Sequence, residues 1–509
     1  MGLGLRAAAT VVLLLLFPTV MLALLAGLIT VELLALREST ALAAKWAFVA
    51  VPVGLVLAKG LGTLVAKIHA PAEGVRLTEA AQPELWGLVR KLAVVAGTRP
   101  PDEIYLTAEV NAAVMEETRL LGLIAGTRRM FIGAPLLAGL REDQFAAVIT
   151  HELAHYGNGD TRLTGMAYRG RRALLRTVSE LDRSDFFQKL LAFLLIGYLK
   201  LYLRASTAVC RRQELAADQA AARAAGSPAA SGALRELAPL DAAWDAFTEH
   251  HLLLGWQDGY LPADVFGGFA DFRASVDDQL DRLRQNPPAD GSPYDTHPPT
   301  GTRVTAIDAL AAAPVVELDQ RAGTVVLRDP KTVLDAALLT ALVPEAAGKQ
   351  RADWATLAAL HGRAVTTAQA AATMEAAVVF ARESPSVRTL LDTLDAGRLT
   401  DLAKPETPMP NDAGPQGRRE FVRGKVIEGV TAAVQAVLVD AGVARWTPTW
   451  PSGAEFVIDE PYAGRIEPLV AAACADPADT AGLRALLAEA GADLDAELAP
   501  PARKEAVTR

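Results

Sequence analysis

The hydrophobic pattern of the chain opens with an uninterrupted apolar run, AAATVVLLLLFPTVMLALLAGLIT, at residues 7–30. A second apolar segment, WAFVAVPVGLVLAKGLGTLVAKI, follows at 46–68 with Lys59 in its interior. A bilayer crossing takes roughly 20 apolar residues, whereas the apolar core of a signal peptide takes only about 7–15. The pair therefore predicts two membrane spans, about residues 7–31 and 46–68, forming a hairpin over 1–69.

The pattern then becomes helical and short-strand by turns. Leu85, Leu88, Leu92 and Val95 recur at spacings of three and four, predicting an amphipathic helix within 77–97. Residues 102–116 read as two short extended runs, and 127–140 as a strand and a turn. A helix begins near Arg141, runs through EDQFAAVITHELAHY and stops at Gly157. Residues 161–226 read as mostly helical. Within them LLAFLLIGYLKLYL (190–203) is strongly apolar, with Lys189 before it and Lys200 near its end. Residues 243–312 are mixed and include the loop QNPPADGSPYDTHPPTGT. From about 315 the chain turns to Ala-rich helices, broken by the linker-like KPETPMPNDAGPQG at 404–417. The expected fold class is α+β, mainly α: a transmembrane hairpin, a domain over 70–314 with a small sheet, and a helical domain over 315–509.

Composition sharpens this picture in three ways. Hydrophobic residues make up 51% with only 6% aromatics, which favours helices built on alanine and leucine. A formal charge of −9 argues against a nucleic-acid partner, which would call for a basic face. Cys210 and Cys474 are the only cysteines, so a disulfide framework is excluded and a reducing compartment fits. Basic residues flanking the spans (Arg6, Lys67 and Arg76 against Arg37 and Lys45) place the body on the cytoplasmic side by the positive-inside rule.

The candidate chemistry lies in AAVITHELAHYGNGD, residues 146–160, which holds two of the seven histidines. His151 and His155 are one helical turn apart on the same face, so both imidazoles can reach one cation. Glu152 points beside that axis, where it can take a proton from an activated water and deliver it to a leaving amine. A third ligand is needed. The position six residues beyond His155 is Thr161, which excludes the metzincin spacing. His250 and His251 are adjacent and point about 100° apart on a helix, so they read as surface or loop histidines. His297 sits in the loop YDTHPPTGTR. Glu214, in RRQELAADQAA, has Asp218 four residues on, so one carboxylate can ligate while the other orients a ligand imidazole.

Taken together, AAVITHELAHYGNGD and RRQELAADQAA resemble the HtpX-type membrane zinc metallopeptidases, relatives of the CAAX prenyl proteases. EVNAAVME, GLREDQFAAVITHE and THPPTGTRV resemble further elements of that family, over roughly residues 70–312. The resemblance implies a zincin domain of the gluzincin kind with one Zn2+ held by His151, His155 and Glu214. It makes Glu152 the catalytic acid/base, Asp218 the residue that orients a ligand and Arg303 a structural partner nearby. It places His297 at the substrate carbonyl and Asn111 and Ala112 beside the bound peptide. Family members carry two further spans between histidine motif and glutamate; here 190–203 is too short for two crossings, and one crossing would separate Glu214 from the histidines. That stretch is therefore expected to meet the membrane without spanning it.

The function implied is a membrane-anchored zinc endopeptidase in quality control or membrane-proximal processing, with a polypeptide substrate and the lipid bilayer as partners. Processing of prenylated C-termini fits less well, because the chain has few spans to build an enclosing chamber. The alternative from another class is a non-catalytic or latent metal-site scaffold acting through the C-terminal domain. In that domain RWTPTWP (445–451), His361 and Cys474 form no metal or nucleophile cluster, so 315–509 reads as a regulatory or protein-partner region.

Overall fold

The computed structural model describes residues 3–65, 74–119, 124–156, 186–286, 298–403, 414–450 and 452–498. Two compact units interleave along the chain: Met1–Trp244 with Val276–Val343, and Asp245–Ser275 with Pro344–Arg509.

The first unit begins with the apolar pair, α1 (Leu3–Glu38) and α2 (Thr40–Val65). Ser39 makes the turn, its hydroxyl accepting from the Leu42 N–H at 3.1 Å. Leu16–Glu38 and Thr40–Lys59 are long and apolar enough to cross a membrane, and these helices mark a membrane protein. Trp354–Ala381, in the second unit, also meets that length and composition.

The body of this unit is a four-stranded sheet with helices against it. Its strands are β1 (Val75–Leu77), β2 (Glu103–Thr107), β3 (Ala112–Arg119) and β4 (Ile124–Gly133), in the order β1-β2-β4-β3. β2 and β4 run parallel, Ile104 opposite Met130, while β3 lies antiparallel to β4, Val114 opposite Met130. β3 is thus a sheet edge. At its start Gly133 cannot carry a side chain: a Cβ there would come within 2.0 Å of the Glu109 carbonyl oxygen. The bare backbone lets the Gly133 N–H donate to the Asn111 carbonyl at 2.7 Å, fixing where β3 begins.

Between β1 and β2 lies α3 (Pro83–Val95), with Leu85, Leu88 and Leu92 buried as the periodicity predicts and Val95 half-buried. After β4, the expected turn is a short helix, α4 (Ala134–Gly139). α5 (Glu142–Ala154) follows; the Gln144 side chain accepts from the Arg141 N–H at 3.1 Å and satisfies one donor at its start.

α6 (Phe186–Ala225) is a single helix of 40 residues, about 60 Å long at about 1.5 Å per residue. Its first half contains the apolar stretch 190–203. Ala192, Leu195 and Leu199 there share one buried cluster with Phe17 and Met21 of α1 and with Val53, Val56 and Leu57 of α2. Lys189 and Lys200 stay exposed. Its second half packs on α5.

Gly226, at φ +86°, turns the chain into α7 (Ser227–His250). Among the described residues, the further α-helices of the unit are α8 (Asp277–Gln285), α9 (Thr300–Leu310) and α10 (Pro330–Ala341). Ser227 ties α9 to the α6–α7 junction: its hydroxyl donates to the Ile307 carbonyl at 2.8 Å and accepts from the Ala312 N–H at 3.0 Å.

The second unit is mainly helical, with a β-hairpin Ala444–Thr449/Gly453–Ile458. The helix Trp354–Ala381 buries a stripe including Ala370, Met374 and Ala377 against Leu390, Leu394, Val430 and Val434 of its neighbours. Cys474 is buried in this core, and burial pushes its thiol up to about 11, so it stays protonated.

Candidate metal centre

α5 presents His151 and His155 one turn apart, and their Nε2 atoms stand 3.2 Å from each other. Glu214, on the second half of α6, faces both: its carboxylate oxygens lie 3.6 Å from His151 Nε2 and 3.6 Å from His155 Nε2. Donor atoms of the three residues all fall within 4.8 Å of one another. Ligands at about 2.0–2.1 Å around one tetrahedral cation would be separated by about 3.3–3.4 Å. Two imidazoles and a carboxylate at these separations fit a single transition-metal ion.

Behind this cluster the charges are paired. Asp218, four residues after Glu214 on the same face of α6, lies 3.1 Å from His151 Nδ1. Arg303, on α9, donates from Nε and Nη2 to the two Asp218 oxygens at 2.8 and 2.6 Å, and its Nη1 stands 3.6 Å from Glu214. Glu214, Asp218 and Arg303 are all buried. Such a cluster is tolerated because Asp218 and Arg303 pair through two hydrogen bonds and Glu214 has Arg303 within ion-pair distance at 3.6 Å.

The electrostatics follow the same pairing. Burial alone would lower His151, yet hydrogen bonds to Asp218 and Glu214 outweigh it and push the imidazole up to about 9. Burial would raise Asp218, but the Arg303 guanidinium and His151 hold its carboxyl below the usual range.

The end of α5 is fastened to the sheet by a residue the motif reading passed over. Tyr156 donates from its hydroxyl to the Val114 carbonyl of β3, and its ring lies 4.9 Å beneath the Arg128 guanidinium. Its own carbonyl accepts from the Thr98 hydroxyl at 2.9 Å. The only sequence signal was its place directly after His155. Asn111 is exposed in the turn before β3, and Ala112 is that strand's first residue. Glu152 is half-buried and lines a cavity with His151, Asp218 and Arg303.

The other histidines separate clearly. His297 lies outside the described residues. His250 is exposed, whereas His251 departs from the surface-or-loop expectation: it is 3% exposed, between Phe247, Phe272 and Trp450. Its ring is a flat, largely apolar body that fits among aromatics, which adjacency in sequence could not reveal.

Compared with known proteins, residues 79–311 match the model of peptidase family M48. No curated protein and no solved structure matches the chain. The matched segment contains β2–β4, α5, α6 and α9, and so every residue of the cluster just described. The match over this segment is consistent with a metallopeptidase of the HtpX or CAAX protease type.

Proposed function

We propose that the protein is a membrane-anchored, zinc-dependent endopeptidase. The observation that carries this reading is the convergence of His151, His155 and Glu214 with Asp218 directly behind His151, inside the family-matched segment. A bound Zn2+ would supply Lewis acidity, making water nucleophilic near neutral pH and drawing electron density from the scissile carbonyl.

The side chains divide the remaining work. Asp218 accepts from His151 Nδ1–H, which fixes the tautomer that turns Nε2 toward the cation. Arg303 keeps Asp218 ionised and in place. Glu152 takes the proton of the attacking water and returns it to the leaving amine. An extended substrate pairs along the β3 edge at Asn111 and Ala112. Resemblance alone assigns His297 to the developing negative charge on the carbonyl oxygen.

The hairpin α1–α2 anchors the enzyme in a cytoplasmic membrane with its body on the cytoplasmic side. Because 190–203 and Glu214 share the rod of α6, and 190–203 packs on the hairpin, the site lies near the membrane surface. Membrane-proximal or misfolded membrane polypeptides are the substrates this position favours. The second unit serves as a regulatory or partner-binding region.

The test is cleavage of an unfolded protein by the detergent-purified, zinc-loaded chain alongside Glu152→Gln. Cleavage by the wild type, reduced by at least about a hundredfold in the variant with zinc still bound, supports the reading. Equal rates would remove Glu152 from the mechanism. No cleavage by either, with zinc in both, would favour a latent or non-catalytic scaffold.

A further inference from the structure

Among the described residues, β3 has β4 on one side and no strand on the other. Along an antiparallel pair, backbone groups point alternately toward the partner and away from it. The Gly133 N–H donates to the Asn111 carbonyl, in the same register that sets Ala112 opposite Ile132. Asn111, Ala113 and Met115 therefore turn their backbone groups toward β4. Ala112, Val114 and Glu116 turn theirs to the outer edge, where an added strand would pair with them.

That edge is closed partway along. The Tyr156 hydroxyl donates to the Val114 carbonyl, so the phenol oxygen stands where the N–H of an added strand would have to come. The tyrosine is held there from several directions. The Arg128 guanidinium lies 4.9 Å over its ring, and its own carbonyl accepts from the Thr98 hydroxyl at 2.9 Å. Arg128 is buried and donates to that same Thr98 hydroxyl at 2.8 Å and to the Arg99 carbonyl at 2.7 Å. Beyond Val114, the β3 register shifts between Glu116 and Thr118, an irregularity that interrupts the ladder and bends a strand.

We propose that Tyr156 is a specificity-determining residue that ends the substrate groove. The proposal rests on the peptidase reading, in which an extended polypeptide pairs along β3. The bound chain stays extended past Asn111 and Ala112 and leaves the sheet edge at Val114. On that side of the scissile bond, residues beyond this point add nothing to binding. Capping an edge strand also guards against pairing with other chains. Protection of that kind predicts no dependence on substrate length, whereas a groove with a fixed end does.

Pairing with an edge recurs every two residues, and each added backbone pair is worth about fivefold in affinity. The test measures calorimetric binding of blocked peptides to the full-length, zinc-loaded Glu152→Gln chain in detergent. The peptides share a central Phe-Leu pair and are lengthened by threonines, in two-residue steps, at one end or the other. With Tyr156 present, lengthening in one direction should stop raising affinity once the peptide covers Ala112. Tyr156→Ala should add one further step of about fivefold in that direction and none in the other. Tyr156→Phe keeps the ring beside Arg128 and frees the Val114 carbonyl; it should recover part of that step, which guards against a folding defect in the alanine variant. Zinc content, measured in each variant, separates a change at the edge from a disturbance of His155.

An affinity that keeps rising past Val114 with Tyr156 in place would overturn the cap. So would a length profile that neither variant shifts while zinc is retained. Cleavage of an unfolded protein by the wild-type chain, with an unshifted profile in the variants, would overturn the cap and leave the peptidase standing. A shifted profile in a chain that cleaves nothing would overturn the peptidase and leave the cap.

Discussion

Two histidines, one in each compact unit, are enclosed by the protein in opposite ways. His151 sits among Asp218, Glu214 and Arg303 and is pushed up to about 9. His251 sits among Phe247, Phe272 and Trp450; burial lowers it, against a hydrogen bond to the Trp450 main chain. Aromatic walls suit a neutral ring that serves as core. A wall of buried carboxylates and a guanidinium is costly as a core, because each ion forfeits hydration that pairing only partly restores. Structure of that kind is explained by a ligand that uses the charge. In the reading proposed above, that ligand is a cation held by His151, His155 and Glu214.

Substitutions can break this contrast at graded strength. Glu214→Ala removes a ligand and should abolish both zinc retention and cleavage, measured by elemental analysis and by proteolysis of an unfolded substrate. Arg303→Met leaves the buried Asp218 carboxylate without its main partner; it should cost about 3 kcal/mol, seen as a lowered unfolding midpoint in detergent. Asp218→Asn keeps shape but loses the negative charge behind His151. Zinc affinity should fall by about 10–100-fold in a competition titration against a chelator.

The smallest effect lies in the other unit. His251 has a folded pKa below its unfolded value of about 6.5, so the unfolded chain binds more protons and stability rises with pH there. The stabilisation is complete above about pH 6.5 and is lost as pH falls below it, at no more than about 1.4 kcal/mol per pH unit. His251→Phe should flatten this part of the unfolding profile between about pH 6.5 and 5. An unchanged slope would show that another group carries it.

Which parts were legible in the sequence depended on whether the signal was local. His151, His155, Glu214 and Asp218 could be paired because helical periodicity alone puts residues four apart on one face. β2, β3 and α5 were readable for the same reason, from short-range pattern. Arg303 was reachable only through resemblance, since its partner Asp218 lies 85 positions away and no periodicity links them. Likewise 190–203 read as an apolar stretch within a mostly helical region, but its packing on Phe17 and Leu57 is a tertiary fact. His251 shows the converse, a polar residue whose burial depends on aromatic neighbours, two of which, Phe272 and Trp450, are distant in sequence.

The central claim is that the buried charges around His151 exist for one metal ion. Its most direct test is the zinc content of the purified chain after exhaustive dialysis, compared with Glu214→Ala. About one zinc per wild-type chain and essentially none in the variant is the predicted result. Zinc absent from the wild type, or retained equally by both, would contradict the assignment of His151, His155 and Glu214 as a metal centre.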